Sequence, residues 1–302
     1  MTDLIIHILL ICLMPPLLLG VISKTKAAFA GRNGAPYFQP YYDLGRLFRK
    51  GMVISATTTW LFCAGPVVTL ATTLAAALLI PLGNHAAPVS FDGDVILFAY
   101  LLAMGRFATV LAALDTGSSF EGMGSAREAT YACLTEPTLF FVLVVLARLS
   151  GSLSFNSMFT ASLGGAWVSS GASLFLLVAA LFIILLAENC RIPFDDPATH
   201  LELTMIHEVM VLDHSGPLLG CVLYGAALKL FILGALFVQI AAPIRTGDAF
   251  VDWGLFVISM IFLAMVIGTV ESVMARLRLT RVPQILIAGS ILSAFALLLI
   301  LR

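Results

Sequence analysis

The feature that most constrains this chain is a series of eight long apolar segments that runs from one end of the sequence to the other. Each holds enough residues, roughly 17 or more, to cross the hydrocarbon core of a bilayer as an α-helix. The segments are residues 4–22, 52–80, 95–114, 134–150, 171–187, 216–243, 251–270 and 283–301. Unbroken apolar runs, such as LFLLVAALFIILL at 174–186, exclude the alternating pattern of a membrane β-barrel. We therefore expect an all-α, polytopic integral membrane protein.

The composition agrees with this fold. Of the 302 residues, 60% are hydrophobic and 11% are charged, whereas roughly a quarter of the residues in soluble domains are charged. The loops are too short for a separate water-soluble domain, so we expect a single transmembrane domain over residues 1–302. With a net charge of −1 and no basic run, the chain gives no sign of binding nucleic acid. Its expected surroundings are the lipid bilayer and other protein subunits.

The placement of Lys and Arg predicts the orientation. Basic residues gather in alternate loops: Lys24, Lys26, Arg32, Arg46, Arg49 and Lys50 after the first span, then Arg127, Arg191, Arg276, Arg278 and Arg281. The opposite loops hold no Lys or Arg at 81–94 or 151–171, and elsewhere only Arg245 and Arg302. By the positive-inside rule, the basic loops face the cytoplasm and both termini lie outside.

Two of the basic loops contain stretches that predict amphipathic helices. In residues 197–213, Asp196 is placed to cap a helix and Pro197 to occupy its first position. We expect this helix to lie along the membrane interface. In the loop after the first span, glycines and prolines interrupt the chain before a short helix at 41–50.

Histidine and cysteine spacing argues against a metal site. His200, His207 and His214 recur every seven residues, which is about 10.5 Å along a helix and too far for one shared ion. We expect them on a polar helix face or a subunit contact, with a proton relay as the alternative. The five cysteines form no C-x-x-C pair and have no His at ligand spacing. No metal or iron–sulfur cluster is therefore expected in this chain.

Six ionisable side chains fall inside or at the edges of the spans. They are Arg106, Glu136, Arg148, Glu188, Lys229 and Glu271. At roughly 3 kcal/mol each near the membrane centre, unpaired charges would together cost on the order of 18 kcal/mol. Three acids and three bases permit mutual pairing, but the sequence leaves open which of them meet.

The six differ in their expected roles. Arg148 lies near a helix end and is expected to snorkel to the interface, whereas Lys229 is mid-span and is expected to pair or to function there. The three glutamates are placed toward the cytoplasmic ends of their helices, as hydrated end residues or as members of a proton relay. Arg191 follows Glu188 by three residues, so a helix that continues one more turn would pair these two.

Two loops resemble those of a known family. Residues 187–197 (AENCRIPFDDP) with 200–203 resemble the signature loop of the complex I subunit 1 family, the membrane subunit that docks the peripheral arm in respiratory complex I and in its hydrogenase relatives. Residues 31–51 resemble the first cytoplasmic loop of that family. Residues 114–120 with 125–129, and 271–279, favour the branch of formate hydrogenlyase and hydrogenase-4-type complexes. The matching residues are Glu188, Arg191, Pro193, Phe194, Asp195, Pro197, Glu202 and Leu203 in the signature loop, and Arg32, Gly34, Pro36, Gln39, Asp43 and Leu44 in the first loop.

The resemblance implies roles for these residues. Glu136, nine residues after Arg127, matches a family glutamate on the path from the catalytic arm into the membrane, and Lys229 also has a counterpart. The chain departs from the family at His200, often acidic there, at 213–216, and at Arg46, usually lysine. The proton-path or coupling set is Glu136, Glu188, Glu202, Lys229, Glu271, His200 and His207; the docking-loop set is Arg32, Gly34, Pro36, Gln39, Asp43, Arg127, Arg191, Pro193, Phe194 and Asp195.

The resemblance also implies a function. It indicates a subunit of the prokaryotic cytoplasmic (inner) membrane, without catalytic residues or a cofactor of its own. Such a subunit anchors hydrogenase-like large and small subunits and an iron–sulfur subunit, which carry the iron–sulfur clusters and, in hydrogenases, nickel and iron. It helps to couple electron transfer to proton or sodium movement through antiporter-like membrane subunits.

Two alternatives stay open from the sequence. The first is a quinone-chamber subunit of an NADH-quinone oxidoreductase-type complex, which would use the loops 32–50 and 187–202. The second is a stand-alone secondary transporter, in which Arg106 and Lys229 would bind an anionic substrate near the midplane.

Overall fold

A computed structural model describes residues 2–160, 163–195, 205–243 and 246–301 of the chain. Within those ranges the chain forms ten α-helices, one short 3₁₀ helix and no β-strand. The α-helices are α1 (Thr2–Phe29), α2 (Gln39–Arg49), α3 (Trp60–Leu79), α4 (Asp94–Asp115), α5 (Ser119–Ser150), α6 (Phe155–Thr160), α7 (Leu163–Glu188), α8 (Gly216–Ala241), α9 (Ala249–Val273) and α10 (Val282–Leu301). Eight of them, all except α2 and α6, are long and apolar enough to cross a membrane. The predicted all-α, polytopic membrane fold is confirmed.

Helix α8 lies at the centre of the bundle. It packs against α1, α3, α7 and α9, and its side chains Leu228, Leu233 and Ile240 are fully buried. Helices α3 and α4 pack most closely on one another, because Gly65 of α3 leaves no room for a side chain: a Cβ there would lie 2.5 Å from the Ala112 Cβ. Small residues at such contacts are the usual means of helix association in membranes.

Helices α5 and α7 begin earlier than the sequence predicts. Helix α5 begins at Ser119 rather than near residue 134, so residues 119–133 are helical although they are too polar to read as part of a span. Consequently Glu136 lies in the interior of α5, and its predicted place near a helix end is wrong. Helix α7 begins at Leu163 and is kinked at Ser170, next to the predicted start of the span.

The predicted interfacial helix at 197–213 is wrong over its described part, residues 205–213. These residues form only the 3₁₀ helix Glu208–Val211, and Met205, Val209 and Met210 are buried in the protein rather than lying along an interface. They pack on α5 at Gly124, where a Cβ would lie 2.3 Å from the Val209 Cγ1. The rest of that prediction, with His200, Leu201, Glu202 and Leu203, lies outside the described residues.

The predicted helix at 41–50 corresponds to α2. It begins with a proline in its first turn and packs against α1 and α8. The Tyr41 hydroxyl donates to the Leu13 carbonyl of α1, and the Phe48 ring lies against Gly220 of α8. The order of the spans places the loops 30–59, 116–118, 189–195 with 205–215, and 274–281 at one end of the bundle, here called the basic side.

Candidate functional site

Arg106, in the middle of α4, contacts carboxylates from two other helices. Its Nη2 donates to both oxygens of Glu188, at 2.7 Å and 2.6 Å, and its Nη1 donates to Glu136 Oε1 at 2.8 Å. Its Nε lies 3.7 Å from Glu128 Oε1. A guanidinium offers a planar fork of donors, which suits this bridging position better than a lysine would.

Glu188, the last residue of α7, is held by two cations. Besides Arg106, the Lys229 Nζ of α8 lies 2.7 Å from its Oε2, and the Thr135 hydroxyl donates to its Oε1 at 2.6 Å. A carboxylate at a helix C-terminus is disfavoured by the helix dipole, so both cations compensate for that position. We call Lys229, Glu188, Arg106 and Glu136 the central charge chain.

The central charge chain shows which of the ionisable groups in the spans pair with one another. Four of the six ionisable groups in the spans pair with one another, as the balance of acids and bases allowed. Pairing is what makes such groups tolerable in a low-dielectric interior. Arg148 is exposed near the end of α5, a position that allows the predicted snorkelling.

The predicted Glu188–Arg191 pair is wrong. Helix α7 ends at Glu188, and Cys190 takes a left-handed backbone conformation with φ 51°, so the chain turns before Arg191. The Arg191 Nη1 instead lies 3.4 Å from Glu271 Oε1, in α9. The Lys26 Nζ, in α1, lies 2.9 Å from Glu271 Oε2, so this fully buried carboxylate also has two basic neighbours.

The signature loop folds back onto the loop 274–281. The Asp195 Oδ1 lies 2.7 Å from Arg276 Nη2, and the Pro193 carbonyl accepts the Leu277 N–H at 2.9 Å. The Asp195 Oδ2 also accepts the N–H groups of Ile206 and His207, at 2.9 Å and 3.2 Å. Asp195 is therefore a buried residue that holds two loops together on the basic side.

The remaining docking-loop residues are divided between this buried corner and an exposed loop. Arg127 donates to the Met205 carbonyl at 2.8 Å, and Phe194 is buried. The first loop lies apart from the central charge chain; Gln39 donates to Asp43 Oδ1 at 2.8 Å on its surface. Arg32, Gly34, Pro36, Gln39 and Asp43 are exposed or half-buried there.

Sequence reasoning missed Glu128 and Thr135, which contribute to the site from α5. Both lie beside the expected start of a span, where polar residues attract no notice. The spacing of eight residues between Glu128 and Glu136 on one helix was the available signal for Glu128, and Thr135 offered no such signal. His207 was predicted and does lie at the site, lining one cavity of about 60 Å³ with Glu128, Cys190, Glu188 and Lys229. Burial raises the pKa of the Cys190 thiol, which is among these residues.

A second cavity, of about 480 Å³, lies between α4 and α5. Arg106, Glu136 and Glu188 line it together with many apolar side chains. Val95 at the start of α4 and Leu153 just after α5 also line it, and both belong to the side opposite the basic side. The central charge chain thus borders space that extends toward the other end of the bundle.

Comparison with known proteins gives a consistent set of matches. A family described as NADH dehydrogenase matches residues 2–302. Formate hydrogenlyase subunit 4 of Escherichia coli (strain K12) is 30% identical over 291 residues, which cover 94% of both chains. Hydrogenase-4 component C of the same organism is 32% identical over 234 residues, 78% of this chain and 73% of the relative.

More distant matches extend the same set. The NADH-quinone oxidoreductase of Bordetella avium (strain 197N) has a subunit that is 27% identical over 208 residues, 66% of this chain and 57% of that protein. A chain in the structure of the membrane-bound sulfane sulfur reductase, described as an archaeal respiratory membrane complex, superposes with a TM-score of 0.78. It is 19% identical and covers 99% of this chain and 100% of its own, so this match concerns the fold alone.

Proposed function

From the premise that the chain belongs to the NADH dehydrogenase family, and specifically among its complex I subunit 1-like members, we propose that it anchors the peripheral redox arm of a complex I-like hydrogenase or formate hydrogenlyase. It helps to couple electron transfer in that arm to proton or sodium translocation. The observation that carries the coupling role is the central charge chain, which joins the turn at Cys190 to the interior of the bundle.

The coupling rests on how costly it is to separate these charges. Glu188 is held between Arg106 and Lys229, and it lies at the start of the signature loop. If the docked arm shifts that loop, Glu188 moves relative to Arg106 or Lys229. Because removing one partner from a buried ion pair costs about 3–5 kcal/mol, the neighbouring charges or an entering proton must compensate.

The exposed first loop and the signature loop supply the docking face. Arg32, Gln39 and Asp43 are polar and accessible, whereas Asp195 and Arg276 hold the neighbouring loop in shape. We expect this face in the cytoplasm and both termini outside, because the positive-inside rule puts the loops rich in Lys and Arg on the cytoplasmic side. The partners are hydrogenase-like large and small subunits, an iron–sulfur subunit and antiporter-like membrane subunits, and the chain acts as a single transmembrane domain over 1–302.

The transporter alternative loses its candidate substrate site. Arg106 and Lys229 both face Glu188, whose carboxylate fills the position that an anionic substrate would take. A stand-alone transporter should be active as a purified single chain, whereas a chain that works only in an assembly should purify together with its partner subunits. A quinone chamber would instead require an electron-accepting quinone beside the signature loop.

The test is to extract the tagged chain in mild detergent and to identify the subunits that co-purify. We expect an iron–sulfur subunit and at least one antiporter-like membrane subunit in stoichiometric amounts. Recovery of a hydrogenase large subunit supports the hydrogenase branch, whereas NADH- or quinone-linked activity without a hydrogenase subunit supports the quinone-chamber alternative. A monodisperse chain that is active alone contradicts the proposal.

A further inference from the structure

Three side chains from distant parts of the sequence meet beside the central charge chain. Glu128 lies on α5, Cys190 in the turn after α7, and His207 just before the 3₁₀ helix, and one ligand atom of each lies within 4.8 Å of the others. All three line the cavity of about 60 Å³. We propose that Glu128, Cys190 and His207 form a binding site for Zn²⁺ or a similar thiophilic divalent cation.

The donor set suits such an ion. A thiolate, an imidazole and a carboxylate are the side chains that zinc takes, and three protein ligands leave a fourth position open. Ligand distances of about 2.0–2.3 Å in a tetrahedral site place the ligand atoms roughly 3.5 Å apart. Atoms already within 4.8 Å of one another therefore need to move only by about 1 Å.

His207 carries an independent sign of a ligand. Its ring Nδ1 is buried and has no hydrogen-bond partner among the described residues. A buried polar atom left unpaired costs about 1–3 kcal/mol. A metal ion bound to this ring would remove that cost, either by bonding to Nδ1 or by turning the ring so that Nδ1 finds a partner. The backbone around the ring is fixed, since the His207 N–H donates to Asp195 Oδ2 at 3.2 Å.

The surrounding charges also favour a divalent cation. Arg106 and Lys229 face three carboxylates, those of Glu128, Glu136 and Glu188, so this group has a net charge of −1 when all are ionised. Coordination displaces the Cys190 proton and adds one more negative charge. A divalent cation then brings the group to neutrality, whereas a monovalent one leaves a buried charge.

The site shares Glu128 with the neighbourhood of Arg106. The Arg106 Nε, 3.7 Å from Glu128 Oε1, makes no hydrogen bond among the described residues, so Glu128 is not firmly bound there. Binding a cation would draw Glu128 away from Arg106. All three proposed ligands belong to this chain, so the site does not require the proposed redox partners. From sequence alone no metal site is expected, because the three ligands are far apart along the chain.

The first experiment uses the purified assembly that contains the full chain. It is stripped with a chelator and titrated with Co²⁺ and then with Zn²⁺, and the spectrum of a Cys190→Ser assembly is subtracted. We expect a thiolate-to-cobalt charge-transfer band with tetrahedral ligand-field bands, and complete displacement by about one equivalent of Zn²⁺. Absence of any difference band in the wild-type assembly overturns the proposal.

Matched variants identify the ligands. Glu128→Gln and His207→Gln keep the size of the site, and each should weaken Co²⁺ binding at least about tenfold. Cys133→Ser removes an exposed thiol from α5 and should leave the band unchanged. Full affinity in both glutamine variants, or loss of the band in Cys133→Ser, contradicts the assignment.

A second measurement keeps Cys190 in place, so it can be made even if the Cys190→Ser variant fails to assemble. Alkylation of Cys190 is followed by mass spectrometry in the wild-type and His207→Gln assemblies, with and without Zn²⁺. We expect Zn²⁺ to slow alkylation of Cys190 strongly in the wild-type assembly. In the His207→Gln assembly, Zn²⁺ should have no such effect. Equal alkylation rates with and without Zn²⁺ in the wild-type assembly contradict the site.

Discussion

The Lys229 ammonium of α8 lies 2.7 Å from Glu188 Oε2, at the residue where α7 ends. Arg106 holds the other side of the same carboxylate from α4. Three helices are thus joined by one acidic side chain at the start of the signature loop. We expect a rearrangement of that loop to change the electrostatic interactions of Glu188 inside the bundle.

Arg106 is expected to be irreplaceable by lysine. A lysine has one compact ammonium, which cannot bridge Glu136 and Glu188 at once as the guanidinium does. Arg106→Lys should lower thermal stability in detergent, and Arg106→Gln should lower it by about 3–5 kcal/mol because Glu188 loses a buried partner. Arg148→Gln, at the exposed end of α5, is the control and should change stability by less than about 0.5 kcal/mol. Equal stability of all three variants would exclude a structural role for the bridge.

Arg191 is expected to couple energetically to Glu271 and not to Glu188. The Arg191 Nη1 lies 3.4 Å from Glu271 Oε1, whereas Glu188 faces α4 and α8. A double-mutant cycle with Arg191→Ala and Glu271→Gln should give an interaction energy of about 0.5–3 kcal/mol. The cycle with Arg191→Ala and Glu188→Gln should be additive within about 0.5 kcal/mol, and a larger coupling there would contradict the observed pairing.

Gly124 is expected to be required for the 3₁₀ helix to pack on α5. A Cβ at this position would lie 2.3 Å from Val209 Cγ1 and 3.0 Å from Met210 Cγ. Gly124→Ala should therefore destabilise the chain by about 1–3 kcal/mol. Gly122→Ala is the matched control on the same helix, since no atom lies within 4 Å of its added Cβ. Because alanine has a higher helix propensity than glycine, Gly122→Ala should cause no loss of stability. Equal losses of stability in both variants would contradict the role of packing at Gly124.

His214 is expected to make the folded chain sensitive to acid. Its ring stacks on Phe62 with a centroid distance of 4.1 Å, and burial lowers the pKa of His214 below the ordinary 6.5. The unfolded chain therefore takes up the proton first, so this contribution to stability is complete above about pH 6.5. It is lost as the pH falls through the lowered pKa. Melting curves from pH 7.5 downward should show a smaller acid loss for His214→Phe than for wild type, and identical losses would contradict this origin.

The fold could be predicted from the sequence because membrane spans depend on local apolar composition. All eight spans, and the pairing of buried acids with bases, follow from that and from the energy of charges in a bilayer. The particular pairs could not be predicted, because they depend on where a helix ends. One left-handed residue, Cys190, separates Glu188 from Arg191 and sends them to different partners.

The loop on the basic side shows the same limit. Its apolar residues fit an interfacial helix as well as a buried turn, and only tertiary packing on Gly124 decides between them. The meeting of Glu128, Cys190 and His207 was equally hidden, since it needs α5, the end of α7 and the loop in place together. The placement of His200 and Glu202 stays a prediction.

We propose above all that Glu188 transmits charge movement between the signature loop and the membrane. The most direct test is ion translocation per assembled complex in sealed membrane vesicles, with electron-transfer turnover recorded in the same sample. Glu121→Gln is the matched control, because Glu121 is a buried glutamate that accepts the Asp213 N–H and lies outside the central charge chain. Glu188→Gln should reduce the ion gradient far more than Glu121→Gln at equal complex content. A full gradient at full turnover in Glu188→Gln would contradict the account.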